Sequence, residues 1–173
     1  QKENISLKKI VSTETEKKIK KQIENQSSTG DVFYNIKYSG LDMTGNRYIL
    51  KSEEAYNDSS NQELVNMKVV EAIFYFKDGT ILNIWSDNGV YNNKSLDMDF
   101  SGNVKALYEN SELYAQKAMF SNSESFLTIT ENVKVIDYRG TVFADKLFFD
   151  IKKQELNVAS SNNKKVNTNI NLK

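Results

Sequence analysis

The strongest constraint on this chain is that it repeats. Sliding the sequence against itself by about 29 residues lays Asn132-Val133 on Asn103-Val104, Val142 on Leu113, Ala144 on Ala115 and Phe149 on Phe120. The same step lays Lys146 on Lys117, Leu156 on Leu127 and Val158 on Ile129. A second step lays Leu113 on Ile84, Ala115 on Ser86, Phe120 on Tyr91, Leu127 on Met98 and Ile129 on Phe100, and a fainter relative lies at Leu50-Lys51-Ser52. A unit of this length, used at least three times, buries a continuous core only by stacking on its neighbours.

Within the unit the apolar period is two. Val32, Tyr34, Ile36 and Tyr38 alternate onto one face of VFYNIKYSG, and Gly, Asn, Asp and Ser clusters break the later runs. Asp78-Gly79 between two such runs is a hairpin signal. Each unit is expected to hold two or three strands of about 5–8 residues, or about 17–27 Å apiece. Helical periodicity is absent over the repeats. The 9 Tyr and 9 Phe suit strands, so the expected class is all-β. At Phe74-Tyr75-Phe76 two signals compete: the repeat turns Tyr75 inward, whereas local alternation turns in the two Phe.

What the chain lacks narrows its chemistry. It has no His, Cys or Pro. Zinc centres built on His and Cys, Ser/His or Cys/His nucleophile systems and disulfide scaffolds are therefore excluded. No D-x-D-x-D-G loop is present for calcium, and neither a cofactor nor a metal is expected. Lys+Arg and Asp+Glu both number 23, so no global field draws in nucleic acid. No run of about 18 apolar residues is present to span a membrane as a helix.

Residues 1–30, with EKKIKKQIENQSSTG, are rich in charge and poor in apolar residues and read as a flexible linker. The chain opens on Gln1 rather than Met, which fits a missing N-terminal membrane anchor upstream. Residues 31–173 then form a single β domain. Its last run, KKVNTNINL, alternates Val166, Thr168, Ile170 and Leu172 against Asn, and is expected to end the sheet as an edge that can pair with another chain.

Alternation nominates the inward positions: Tyr48, Leu50, Ile84, Met98, Phe100, Val104, Leu113, Phe120, Leu127, Ile129, Val133, Val135, Val142, Leu147, Phe149, Leu156 and Val158. Small residues at Ser52, Ser86, Ala115 and Ala144 follow two places after Leu50, Ile84, Leu113 and Val142. They leave room either for a close opposite layer or for a ligand, and ordinary core packing explains the list as well as a lipid slot does.

Arg47-Tyr48-Ile49-Leu50-Lys51-Ser52 after Gly45-Asn46, then Asp78-Gly79, then Gly102-Asn103-Val104, then Leu113-Tyr114-Ala115 and Val142-Phe143-Ala144, resemble in order and spacing the LptC family and the wider OstA-like group of lipopolysaccharide-transport proteins. The opening Ser39 to Tyr48 and the number of units point to the LptC type, over roughly Tyr34 to Val158. The resemblance implies a twisted antiparallel β-jellyroll open along one side, built from the repeated units. It implies a non-catalytic carrier that holds lipopolysaccharide acyl chains in an apolar slot. The carrier would stand in the periplasm, held to the inner membrane by an N-terminal helix. An inner-membrane ABC transporter would dock at the N-terminal edge and a homologous periplasmic bridge protein at the C-terminal edge. Two departures stand out: the first 30 residues match no family motif, and Ser161 to Lys173 is more polar than a docking strand.

The physics suits such a role. Each buried methylene is worth about 0.8 kcal/mol, and a dozen outweigh any single hydrogen bond of about 1 kcal/mol, so the grip is non-directional. Lys51, Lys117, Lys134, Arg139 and Lys146 are available as a basic rim for phosphates. Two other readings remain at this stage. One is a ligand-free structural or adhesive β-repeat. The other is a glycan-cleaving enzyme using Asp97 with Asp99, or Asp145 with Asp150, although spacing two sets carboxylates on one strand face rather than across a cleft.

Overall fold

In the computed structural model, which describes residues 31–159 and 170–171, there is one ten-stranded antiparallel sheet with strands in strict sequence order. The strands are β1 Val32–Leu41, β2 Arg47–Asn57, β3 Leu64–Tyr75, β4 Ile81–Asn92, β5 Met98–Tyr108, β6 Ser111–Ser121, β7 Phe126–Asp137, β8 Gly140–Asp150, β9 Glu155–Ala159 and β10 Ile170–Asn171. The all-β expectation and the Asp78-Gly79 turn between β3 and β4 both hold. The repeat unit is a hairpin of two long strands, β4–β5, β6–β7 and then β8–β9, rather than three short ones. β2 to β8 each run 11 or 12 residues.

The sequence hides those lengths because every long strand bends in its middle. There the inward positions of β2, β3, β4 and β6 change phase and those of β5 and β7 skip a place. Buried positions along β6 are Leu113, Ala115, Ala118 and Phe120, and along β4 they are Leu82, Ile84, Ser86, Gly89 and Tyr91. A step of three in place of two puts both halves of a strand on the same inner side. β5 and β7 take an extra residue at the bend, so their pairings slip by one between Ser101 and Val104 and between Thr130 and Val133. The bends of the odd strands use left-handed backbone: Asn35 (φ 52°), Val69 (52°), Gly102 (76°) with Asn103 (44°), and Glu131 (66°) with Asn132 (57°). Asn and Gly tolerate this conformation at little cost, as bulges often require. The repeated Asn-Val pairs of the sequence mark these bends.

The bend at Asn35 corrects the single face expected for β1. Ile36 stands opposite the buried Ser52, while Tyr34 stands opposite Glu54 on the other side, with Phe33 opposite the buried Ala55. Tyr38 and Ile36 therefore join the core, and Val32 and Tyr34 do not.

Folding at the bends turns one sheet into two layers. The first holds the halves 36–41, 47–52, 70–75, 81–86, 104–108, 111–115, 133–137 and 140–144, and the second holds the rest. Ring contacts join the layers between strands that are not neighbours. Tyr38 lies 5.2 Å from Tyr91, Phe74 lies 5.0 Å from Phe120 and Tyr108 lies 5.4 Å from Phe149. The second layer thus covers the first about three strands further along, as the twist of a long sheet requires. Phe74 and Phe76 face inward at 0% and 5% exposure while Tyr75 faces out beneath the Arg47 guanidinium, so local alternation, and not the repeat, decides that segment.

The small inward residues have their reason here. Ser52 with Ala55, Ser86 with Gly89 and Ala115 with Ala118 flank the bends, where the two layers converge and only small side chains fit. Residues 1–30, expected as a linker, and most of the expected last strand lie outside the described residues. Within that last run, Ile170 pairs with Leu156 and Asn171 with Glu155.

Candidate functional site

Sixteen of the seventeen nominated inward residues are buried and belong to one contiguous core: Tyr48, Leu50, Ile84, Met98, Phe100, Val104, Leu113, Phe120, Leu127, Ile129, Val133, Val135, Leu147, Phe149, Leu156 and Val158. Val142 is only half-buried. The three-strand offset explains the exception. Among the described residues no second-layer strand lies far enough along to cover the first-layer half of β8, and the inward Ala144 beside it is half-buried too. The opposite end shows the mirror effect, with inward Phe33 49% exposed. The nominated set left out Leu82, Ala106 and Tyr108, which belong to the same interior and continue the period-two alternation of Ile84 and Val104. Phe74 and Phe76, left open against Tyr75, join it as local alternation had them.

The interior is closely packed around Leu50, Phe74, Ile84 and Phe120, each exposed by 1% or less. It opens into a recess of about 40 Å³ lined by Leu82, Ala106, Tyr108, Ser111, Leu113, Leu127, Ile129, Val135, Phe149 and Leu156. Almost all of that lining is carbon. Leu82, Tyr108, Leu127, Phe149 and Leu156 are each the inward residue nearest a turn, so the recess lies along the turn side of the sandwich, opposite the bends. Two larger hollows, about 490 and 530 Å³, lie at the bends instead, and charged residues such as Lys51, Glu71 and Lys134 line them.

On the turn side the layers are joined by two side-chain straps. At the first, Asp42 folds the β1–β2 turn by accepting hydrogen bonds from the Thr44 and Asn46 amides at 2.9 and 2.8 Å. The Met43 amide of that turn then donates to Asn122 Oδ1 at 3.1 Å. Asn122, 6% exposed, also donates from its amide to Asp97 Oδ1 at 2.8 Å and from Nδ2 to the Ser95 carbonyl at 3.1 Å. At the second strap, Gln154 of the β8–β9 turn accepts the Tyr108 hydroxyl on Oε1, and Thr80 Oγ1 of the β3–β4 turn lies 3.2 Å from the same oxygen. Burial pushes the Tyr108 hydroxyl above its ordinary range, so it stays protonated as a donor. Tyr91, hydrogen-bonded to Tyr48 at 3.1 Å, is likewise pushed up, first by burial and then by that bond.

The basic residues do not form a rim around the interior. Alternation places Lys51, Lys117, Lys134 and Lys146 each beside an inward residue, and so on the outer surface, while Arg139 stands in the exposed β7–β8 turn. Lys51 pairs with Glu71 at 2.7 Å, Lys117 with Glu131 at 2.7 Å, and Arg139 with Asp137. Lys134 lies over the Phe143 ring and Lys146 over Phe148. Exposed pairs of this kind are worth at most about 1 kcal/mol each.

Of the carboxylates singled out in the sequence, Asp97 and Asp99 stay close enough to interact, and the others serve turns or a bend. Asp97 serves the first strap, and Asp150 holds the β8–β9 turn by accepting from the Lys152 and Lys153 amides at 2.9 and 3.0 Å. Asp145 lies at the bend of β8. Among the described residues no group of three or more carboxylates that could hold a metal is formed. Desolvation raises the Asp99 carboxyl above its usual range, and the Asp97 charge adds to the effect. A raised folded-state pKa makes the ionised form a liability, present above the folded pKa and absent below the unfolded one. Asp99 is solvent-exposed and screened, so Asp99→Asn is expected to raise the melting temperature only slightly at pH 7 and to leave it unchanged near pH 3, which a pair of thermal melts checks.

Among the described residues no helix is long and apolar enough to cross a membrane. No curated protein matches the chain in sequence. Fifteen chains of solved structures match its fold. One is the crystal structure of LptH from Pseudomonas aeruginosa, the LptA-homologous periplasmic component of the lipopolysaccharide transport device. It is 12% identical, with a TM-score of 0.51 over 70% of this chain and 87% of that one, a likeness of β-jellyroll fold. The model of the family described as lipopolysaccharide-assembly, LptC-related, matches residues 4–168. The bent, sequence-ordered sheet, its carbon-lined interior and this match over nearly the whole length agree: the chain belongs to the LptC-related family, and its role lies in lipopolysaccharide transport.

Proposed function

We propose that this protein is a non-catalytic carrier that takes lipopolysaccharide acyl chains between its two layers. It receives them from an inner-membrane ABC transporter and hands them to a homologous periplasmic bridge protein. The observation that carries this reading is the recess on the turn side. There the layers are held by side chains rather than by continuous strands, and the lining is carbon from ten residues of both layers. At about 40 Å³ it holds little more than the roughly 30 Å³ share of one water, so loading requires the layers to part. Each methylene that follows is worth about 0.8 kcal/mol.

The two ends are the natural docking edges, because among the described residues β1 and β10 stand outermost in the sheet, where another sheet can pair. On this reading the transporter meets β1 and the bridge protein meets the end near β9 and β10. An anchor upstream of the described residues would keep the domain at the inner membrane. The lipid-contacting residues would be Leu113, Leu127, Val135, Phe149 and Leu156 first, with the deeper inward positions following as the layers separate.

A ligand-free structural module is the competing reading, favoured by the tight middle of the core. Photo-crosslinking separates the two. A benzophenone side chain at Leu113, 8% exposed and inward, is expected to capture lipopolysaccharide, while the same group at the adjacent outward Tyr114 is not. Equal labelling at both sites, or none at either, would remove the interior carrier.

A further inference from the structure

Resting on the carrier reading, we infer that acyl chains are admitted sideways through the seam at Thr80, Tyr108 and Gln154, and that this strap is the gate. Three features converge on the same few residues.

The first is position. The recess is lined by Tyr108 itself, by Phe149 just before the β8–β9 turn and by Leu156 just after it. Thr80 immediately precedes β4, and the lining residue Leu82 is the second residue of that strand. The strap therefore sits directly over this carbon-lined recess. Near the other strap Phe120, two residues before Asn122, is 0% exposed in packed core.

The second is construction. The Asn122 strap crosses the layers through one bond, accepted from the Met43 amide of the turn that Asp42 braces. Asn122 itself is nearly buried and fixed within its own layer by bonds from its backbone amide to Asp97 and from Nδ2 to the Ser95 carbonyl. The Gln154 strap hangs on one half-buried amide oxygen shared by two hydroxyls. Its partners have other places to go. Thr80 Oγ1 is 2.7 Å from Asp78 Oδ1 and keeps that bond if Gln154 swings away. Gln154 stands in left-handed backbone at φ 55°, which is uncommon for a non-Gly residue.

The third is the hinge. Tyr108 is a jointed plug: its ring lies between Phe76, 5.9 Å away, and Phe149, 5.4 Å away, across the two layers. Release of its hydroxyl from Gln154 and from Thr80 Oγ1, 3.4 Å away, frees that ring to leave Phe149 and uncovers the recess without breaking any strand pairing. An acyl chain then replaces one apolar neighbour by another, which is why the exchange is reversible in either direction.

The natural chain has no Cys, so two introduced thiols can be joined without side reactions. Thr80→Cys with Gln154→Cys, bridged by a cleavable bis-maleimide, fastens the seam. Loading is followed by stopped-flow fluorescence of the full chain with hexa-acylated lipopolysaccharide displacing a hydrophobic probe. The bridged protein is expected to load at least tenfold more slowly, and cleavage of the bridge is expected to restore the rate. Gln154→Ala is expected to load several-fold faster than the natural chain with unchanged equilibrium folding by circular dichroism. Loading at the same rate with the bridge in place means the chains come in through an end and overturns the gate while leaving the carrier intact. Absence of probe displacement by the unbridged chain overturns both together.

Discussion

Replacing Phe74 by Ala is expected to cost about 3–5 kcal/mol of folding stability, the range for emptying a large aromatic site in a core that cannot collapse. Phe74 has 0% exposure and joins the layers through Phe120 at 5.0 Å and Tyr48 at 6.1 Å. Nothing near it has slack: Leu50, Ile84 and Phe120 are exposed by 1% or less. For a domain of this size the melting temperature should fall by about 10–20 °C. The neighbour Tyr75, outward beneath Arg47, is the control, and Tyr75→Ala should cost under about 1 kcal/mol. If the two substitutions cost the same, β3 has been placed in the wrong phase.

The second large effect belongs to the bends. Gly102 has φ 76°, and a Cβ there would lie 2.9 Å from Asp87 Oδ2. Gly102→Val combines a left-handed β-branched residue, about 1–2 kcal/mol, with an overpacked contact of about 1–3 kcal/mol. Part of the clash is relieved if Asp87 turns aside, but then it gives up the bond from Asn103 Nδ2 at 2.7 Å. A net loss of about 2–4 kcal/mol is expected in chemical denaturation. Val69 tests the same physics with the opposite sign. It is already a β-branched residue at φ 52°, so Val69→Gly should be neutral or stabilising by up to about 1 kcal/mol, once the entropy of glycine is set against the relieved strain. A loss at Val69→Gly as large as that at Gly102→Val would mean that backbone strain is not what shapes the bends.

These two sites show which parts of the fold the sequence carries openly. The alternation of Leu113 with Ala115, or of Leu127 with Ile129, is visible because period two and burial coincide over short stretches. Sixteen interior residues followed from that alone. The bend was not legible in the same way, since a phase change in mid-strand looks like a strand end, and the strands were accordingly read at half their length. The sign that could have betrayed it was chemical: Asn103 and Asn132 recur just before Val104 and Val133, a residue type suited to left-handed backbone rather than to the middle of a strand. Val69, which breaks that rule, gives no such sign. The straps were illegible for another reason. Asn122 with Met43, and Gln154 with Tyr108, are separated by 79 and 46 positions, and pairing at such distance leaves no periodic trace. The lysines misled for the simplest reason, since a charged residue next to an inward one is usually just outward.

The strands follow one another across the sheet in the order in which they are made, with no crossover anywhere from β1 to β10. A whole hairpin can therefore be duplicated or deleted without rerouting the rest, each one adding about 10 Å, two strand spacings, to the length of the sandwich. Evolution can set the reach of such a protein by counting, in even increments, while the way each strand turns its corner stays the same.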